Sequence, residues 1–177
     1  AELDQRWHPH WRSVASLRMD HYRYDVDAGM MINSGSGHET QLSPAVNVIY
    51  SPPGETEYFF SAGRGFHSND ARGAVIRRDP VSDEAIETVD PIAAADSLEI
   101  GLRTAVLPRT RLTATAFVMD LESELVYVGD AGNTEALNPS RRYGAEFSAL
   151  WSPVSWLLVD GNVTFTRARL RQTEDDR

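Results

Sequence analysis

The chain has 177 residues, of which 41% are hydrophobic and 24% charged, a balance that fits one ordered domain and excludes a disordered one. It has no cysteine, which excludes a disulfide scaffold and any thiolate metal site. Acids outnumber bases 26 to 17, for a net charge of −9, which excludes the basic footprint of a nucleic-acid partner.

No run of 18 apolar residues encodes a transmembrane helix. The opening residues Ala1 to Arg6 have no basic segment followed by an apolar core, so no signal peptide is expected there. His8 and His10 flank Pro9. A metal would need a third ligand, and none stands nearby in sequence, so beside Trp7 and Trp11 the pair reads as interfacial.

The first predicted strand spans Trp11–Tyr24. A long connection from about Asp27 to Thr40 follows. Its Met30-Met31 pair reads as a loop anchor rather than a soft-metal site. Its Ser34-Gly35-Ser36-Gly37-His38-Glu39 run brings Ser, His and Glu together without a strand-to-helix elbow, and reads as a flexible loop. Strands are predicted next at Gln41–Tyr50 and Thr56–His67, joined at Ser51-Pro52-Pro53-Gly54. Gly63-Arg64-Gly65 is no phosphate loop, since no Lys-Ser follows. The connection Asn69 to Asp96 has one helical hint, at Ser82 to Ile86. Its acidic part, Asp79 to Asp96, lacks the ligand density of a calcium loop and reads as a solvated, mobile outer loop.

Strands at Ser97–Val106 and Arg111–Leu121 come next, joined at Leu107-Pro108-Arg109-Thr110. The connection Glu122 to Arg141 carries Glu122 and Glu124, read as a solvated rim rather than an acid/base pair. The last two strands, Arg142–Trp151 and Trp156–Arg171, meet at Ser152-Pro153-Val154-Ser155. The sequon Asn162-Val163-Thr164 falls inside a strand and is not read as a glycosylation site.

Periodicity of two carries these assignments. Leu98, Ile100 and Leu102 alternate with Glu99, Gly101 and Arg103. Tyr143, Phe147 and Trp151 alternate with Arg142, Glu146 and Ser148, and Val159, Val163 and Phe165 with Asp160, Asn162 and Thr164. About seven strands result, most with the 9 to 11 residues that a tilted strand needs to cross a bilayer core. Proline turns on one side and long connections on the other have the asymmetry of an outer-membrane barrel. Tyr50, Tyr58, Trp151 and Trp156 lie near the short turns, where an aromatic girdle would sit.

At Tyr58-Phe59-Phe60-Ser61-Ala62-Gly63-Arg64-Gly65-Phe66-His67-Ser68-Asn69-Asp70 the chain resembles the TonB-dependent outer-membrane receptors, in which an ascending strand ends in a Gly-x-Gly-Phe-type segment. Ser97-Leu98-Glu99-Ile100-Gly101-Leu102-Arg103 and Arg142-Tyr143-Gly144-Ala145-Glu146-Phe147 resemble the same barrel repeat. The resemblance implies an all-β antiparallel meander that is an internal part of a larger transmembrane barrel, with the plug domain and the C-terminal strands lying outside residues 1–177. It implies a bacterial outer-membrane active transporter that takes up a scarce solute, such as a ferric siderophore or another metal chelate, energised by the TonB complex through the rest of the receptor. Partners would be outer-membrane lipid and that solute, with no nucleic acid and no cofactor. No catalytic constellation is expected. Glu99, Arg103, Arg142, Glu146, Asp160 and Asn162 are the candidates for a solute-binding lumen wall, and the bland reading is that such charges pair across strands. The alternative is a soluble β-sandwich or small barrel binding a ligand or protein, with the apolar face turned inward.

Overall fold

A computed structural model describes residues 1–128, 133–137 and 139–171, with side chains described outside 124–138. Among these residues, eight strands form one antiparallel sheet: β1 (Glu2–His8), β2 (Trp11–Val26), β3 (Gly35–Tyr50), β4 (Thr56–Ser68), β5 (Ile92–Thr104), β6 (Thr110–Leu121), β9 (Ser140–Val154) and β10 (Leu157–Leu170). They lie side by side in chain order. Two more, β7 (Glu124–Val128) and β8 (Asn133–Leu137), pair as a hairpin between β6 and β9. One short helix, α1 (Ala71–Val75), and a 3-10 turn at Met31–Asn33 complete the described elements.

The antiparallel meander and most of its strands agree with the period-two reading, and several boundaries do not. β1 makes an eighth strand. Its sequence offers Leu3 and Trp7 on one side but Gln5 between them, so the alternation is weak, and backbone pairing with β2 from Glu2↔Ser16 to Arg6↔Arg12 supplies what pattern lacks. Pro9-His10 is the turn of that hairpin, closed by the pair His8↔Trp11. The Ser34–Glu39 run is not a flexible loop. Apart from Ser34 it is the start of β3, in register with β2 from Val26↔Gly35 to Tyr22↔Glu39. The helical turn falls at Ala71–Val75, where the Asp70 carboxylate caps it by accepting from the Arg72 N–H at 2.9 Å, and not at Ser82–Ile86. β5 begins at Ile92, five residues earlier than expected. Pro153 lies inside β9, at a register shift between Leu157 and Val159 where the ladder asks for no N–H, so the tight turn falls at Ser155-Trp156. The acidic run Thr173–Arg177 and the side chain of Glu124 lie outside the described residues.

Directly paired residues share a face, so the register sorts side chains. On one face stand Tyr58, Phe60, Leu98, Ile100, Leu102, Val118, Tyr143, Phe147, Trp151, Val159, Val163 and Phe165. Ile100 and Phe165 remain 63% and 64% exposed, as fits an apolar face with no second layer packed over it. The sandwich alternative fails here, because its apolar face would be turned inward. Among the described residues, buried apolar side chains are few (Ile49, Ile92, Ala93, Ala94 and Leu121).

The two ends of the apolar face are marked differently. Beside the short turns, Trp7, Trp11, Tyr50 and Tyr58 follow one another across four strands, with ring centroids 6.2, 4.6 and 6.3 Å apart in turn. At the other end the same face carries ion pairs. Arg64 grips Asp96 through Nε and Nη2 at 2.7 and 2.6 Å, and Arg141 grips Asp120 at 2.6 and 2.7 Å.

The sheet divides at Pro44. Leu17 exchanges both backbone hydrogen bonds with Ala1, so its backbone points toward β1. Pro44, opposite Leu17 on β3, therefore aims its nitrogen at β4, where it has no hydrogen to donate. The β3–β4 ladder stops at Ala45↔Gly63, while β3 continues with β2 alone and β4 with β5 alone. A groove of about 540 Å³ opens there, lined by Pro44, Val46, Ala62 and Leu98.

Candidate functional site

The second face of the sheet is polar. The register places Glu99, Arg103, Arg142, Glu146, Asp160 and Asn162 all on it, one residue out of phase with the apolar set. They do not form one cluster. Phe117 of β6 stands between Glu99 and Gly144, so Glu99 and the β9 residues are two strand spacings apart, roughly 10 Å.

Arg103 is held in place. Its Nε lies 3.8 Å from Glu57 Oε2, its guanidinium sits 5.3 Å from the Phe59 ring centroid, and Glu57 also accepts from Ser51 Oγ at 2.9 Å. Here the cross-strand pairing expected of idle charges is what the structure has. The Asn162 amide lies 3.4 Å from Asp160 Oδ1. These contacts make a polar wall with separate donors and acceptors. Among the described residues, no group of three or more His, Asp or Glu could hold a metal ion.

Sequence reasoning missed the aromatic part of this wall. A Cβ on Gly101 would overlap the Phe59 ring and stand 2.6 Å from the Ala114 carbonyl oxygen. One on Gly144 would run into the Phe165 carbonyl oxygen and stand 2.9 Å from Phe117 Cζ. Tyr24 covers Gly37 in the same way. Each glycine lets an aromatic ring from the neighbouring strand lie flat over the backbone, which shields a strand glycine from water. A glycine on the polar face, with an aromatic at the same level of the next strand, is the signal that could have found them.

The long connections fold over the same face. α1 brings Val75 Cγ1 to 3.3 Å from where a Cβ of Gly35 would stand, and Gly35 belongs to the polar face of β3. Asn33 is buried and pins the two connections together. Its Nδ2 donates to the Arg78 carbonyl at 2.8 Å, and its Oδ1 accepts from the N–H groups of Arg77 and Arg78 at 3.0 Å each. Asn69, also buried, donates through Nδ2 to the Asp90 carbonyl at 2.7 Å. Asp79 Oδ1 accepts from Val81 and Ser82 N–H at 2.7 and 3.0 Å. The connection expected to be solvated is exposed along most of residues 80–90, and these hydrogen bonds hold it as a cap. Under it, burial pushes the Glu39 carboxyl above the usual carboxylate range, and the nearby Asp90 and Glu122 charges add to the shift, against a hydrogen bond from the Ile92 backbone. The Glu122 carboxylate accepts from Ala94 N–H at 3.3 Å while the residue stays exposed, in keeping with the solvated rim expected there.

A wide antiparallel sheet with long strands, one exposed apolar face between an aromatic row and an ion-paired row, and an opposite polar face under a cap defines a membrane β-barrel wall. The family described as TonB dependent receptor-like, beta-barrel, matches residues 1–177, and the chain belongs to that family, whose members are bacterial outer-membrane proteins. Among solved structures, the copper transporter OprC is similar with a TM-score of 0.72 at 18% identity, over 96% of this chain and 28% of that one. The FrpB iron transporter from Neisseria meningitidis is similar in its F3-3 variant, with a TM-score of 0.66 at 15% identity over 96% and 25% of the two chains. Its F5-1 variant in the apoprotein form gives 0.62 at 17% over the same shares. This chain thus spans about a quarter of the length of these structures. No curated protein matches it by sequence.

Proposed function

We infer that this chain forms part of the wall of an outer-membrane active transporter. The apolar face meets lipid, the polar face lines the lumen, and the cap narrows the outer mouth. The whole receptor takes up a scarce solute, a metal chelate such as a ferric siderophore, with energy delivered by the TonB complex to parts of the receptor beyond this chain. The observation that carries this reading is the cap lying on the polar face and not the apolar one. A connection folded into a lumen meets the solute on its way in. The similarity to OprC and FrpB, named for copper and iron transport, supports a metal-bearing cargo.

In this reading Glu99, Arg103, Arg142, Glu146, Asp160 and Asn162 touch the cargo weakly and at spaced points, and the ring floors of Phe59 and Phe117 give it apolar surface to slide on. The wall binds and releases; it catalyses nothing. The test is growth of cells that depend on the complete receptor, under iron limitation, on a panel of ferric chelates. Substituting Arg142 and Glu146 by alanine should impair use of at least one chelate in cells with normal receptor levels at the surface. If the intact receptor supports TonB-dependent use of no metal chelate, the cargo class is wrong.

A further inference from the structure

The gap above Pro44 is tied at both ends. Below it stands the last pair of the β3–β4 ladder, Ala45↔Gly63. Above it the Ile92 N–H, at the start of β5, reaches the Glu39 carboxylate of β3, and Asn33 ties the β2–β3 connection to Arg77 and Arg78. Between these ties Thr40, Leu42 and Pro44 stand across from Arg64, Phe66 and Ser68 with no ladder between them. Pro44 aims its backbone at β4, so by the two-residue period Val46, Leu42 and Thr40 do the same. Ala62, opposite Val46, aims back, and so do Arg64, Phe66 and Ser68. The Leu42 carbonyl takes a substitute partner, the Gln41 Nε2 at 2.9 Å. Unpaired strand backbone in a membrane wall persists only beside a water-filled cavity, which here is the lumen. The gap is therefore a window through the wall and not a dry crease.

Its lining mixes the two faces. Ala45, Gly63 and Ser97 come from the polar phase, and Val46, Ala62 and Leu98 from the apolar phase, around the same space of about 540 Å³. A Cβ on Gly65, at the edge of the window, would meet nothing within 4 Å. On the outer side β2 and β3 stay apolar past the break, with Met19 70% and Leu42 52% exposed. On the inner side Asp20 Oδ2 and Ser43 Oγ are covered and have no hydrogen-bond partner among the described residues. Asp20 is opposite Gln41 and Ser43 opposite Arg18, so the two are diagonal neighbours on one strand pair. Arg18 holds Asp20 through Oδ1, which leaves Oδ2 for another donor.

We propose that this window is a side port for a single-chain amphiphile with an uncharged, hydroxylated head, its acyl chain lying on Leu42 and Val46 and its head turned in to Asp20 and Ser43. A head hydroxyl donates to Asp20 Oδ2 and accepts from Ser43 Oγ. The Asp20 carboxylate, with Glu39 at the upper tie, opposes an anionic head. The acyl chain follows from continuity, because the window opens onto the same apolar face that meets lipid. Pro44 keeps the port open, since any other residue there has an N–H to give to the Arg64 carbonyl. The proposal rests on the reading of this sheet as a lipid-embedded barrel wall.

The experiment uses the complete receptor that contains this chain, reconstituted in phosphatidylcholine vesicles with a monoacylglycerol that bears a diazirine in mid-chain. After illumination the labelled residues are read by mass spectrometry, and heat-modifiable gel mobility reports whether each variant is a folded barrel. The native receptor should carry label at Ser43 and Gly65 as well as at Ile100 on the lipid-facing side, and none at Glu99. P44V restores an N–H opposite Arg64 and should extend the ladder to Leu42 opposite Phe66. Label at Ser43 should then fall about tenfold, the factor that two backbone hydrogen bonds of ordinary strength supply. G65F, which puts a ring into open space, should do the same without new pairing. Neither variant should change the label at Ile100. A palmitate with the same diazirine should label Ser43 less than the monoacylglycerol does. A native receptor labelled at Ile100 but not at Ser43 or Gly65 has a closed wall, which overturns the port. Label at Ser43 that survives in both P44V and G65F arrived through the mouth of the barrel, and overturns it too. Equal label from palmitate overturns the uncharged head, and displacement by glycerol as strong as by unlabelled monoacylglycerol overturns the acyl chain. Label absent from Ile100 and Ser43 alike refutes the barrel reading itself, which is a different result from a closed wall.

Discussion

Ile100 and Gly101 are consecutive in β5, yet they answer to different solvents. Ile100 is set in a row with Phe60, Ala116 and Ala145, open on its outer side. Gly101 is set in a row with Phe59, Thr115 and Glu146, its backbone roofed by an aromatic ring. Both faces contain aromatics and small residues, so composition does not tell them apart. What differs is where charge is permitted. The apolar face admits it only above its band, as Arg64–Asp96 and Arg141–Asp120, whereas the polar face has Glu99, Arg103 and Glu146 within the strand. A face that excludes charge over the middle of its strands and keeps its apolar residues exposed is adapted to hydrocarbon and not to water.

The largest effect should come from breaking that rule. I100R places a guanidinium near the middle of the apolar face and should cost the complete barrel about 2–4 kcal/mol. The polar-face neighbour variant E99R should cost far less, because charge is already accommodated there. Reversible unfolding in lipid vesicles measures both. Similar losses for the two variants would dissolve the distinction between the faces.

Next comes the floor of the polar face. G144A forces a methyl against the Phe165 carbonyl oxygen and the Phe117 ring. Backbone has to move, since the carbonyl belongs to the next strand, and overpacking of this kind costs about 1–3 kcal/mol. G101A meets the Ala114 carbonyl oxygen at 2.6 Å and should cost less. G65A, with nothing within 4 Å, should be close to neutral. The order, read as denaturation midpoints of the same receptor, tests whether glycine on this face is there to seat a ring. A G144A barrel as stable as the native one would show that it is not.

These cases also show what could be read from sequence. The period-two runs at Ser97–Val106, Arg142–Trp151 and Trp156–Arg171 placed three strands and their facing, because a strand side chain has only two directions available. The sequence did not disclose β1 or the first third of β3. Gly35, Ser36, Gly37, His38 and Glu39 have poor strand propensity, and their strand exists because β2 offers sixteen consecutive partners, from Trp11↔Tyr50 to Val26↔Gly35. The cap was invisible for a different reason. Asn33 and Asn69 hold it through bonds to backbone groups 21 to 45 residues away, and no local pattern marks which asparagine will be buried. Of the candidate wall, the charged residues were legible by phase alone. Phe59 and Phe117 were not, since their part depends on which glycine stands beside them.

The cap gives the next test. N33A removes the acceptor for two backbone N–H groups and the donor to the Arg78 carbonyl. Leaving buried partners unsatisfied costs about 1–3 kcal/mol. The loss should stay local: amide exchange should speed up at Arg77 and Arg78, while the strand amides of β5 and β6 keep their protection. Faster exchange through the whole sheet would mean that the cap and the wall are one cooperative unit.

The smallest effect is electrostatic, and it concerns the polar face where the cap covers it. Burial raises the Glu39 carboxyl above its ordinary value, and Asp90 and Glu122 push in the same direction. A carboxyl whose folded value is raised binds its proton more readily in the folded state than in the unfolded one. Its contribution to stability is therefore fully present below the unfolded value and is lost as pH rises through the raised one. The cap should accordingly hold more firmly in mild acid than at neutral pH. Asp70 works in the opposite sense: the Arg72 guanidinium holds its carboxyl below the usual range, so its contribution is present at neutral pH and lost as pH falls through that lowered value. The raised window lies above the lowered one, so Glu39 governs the upper part of the carboxylate range. Exchange of the Ile92 amide, which donates to Glu39, reports the opening directly once corrected for its intrinsic pH dependence. In the native receptor its protection should decline as pH rises through the upper carboxylate range. In E39Q, which keeps an acceptor of the same shape and removes the titration, the decline should flatten. An unchanged slope in E39Q would assign the pH response to other carboxylates and leave Glu39 as a packing residue under the cap.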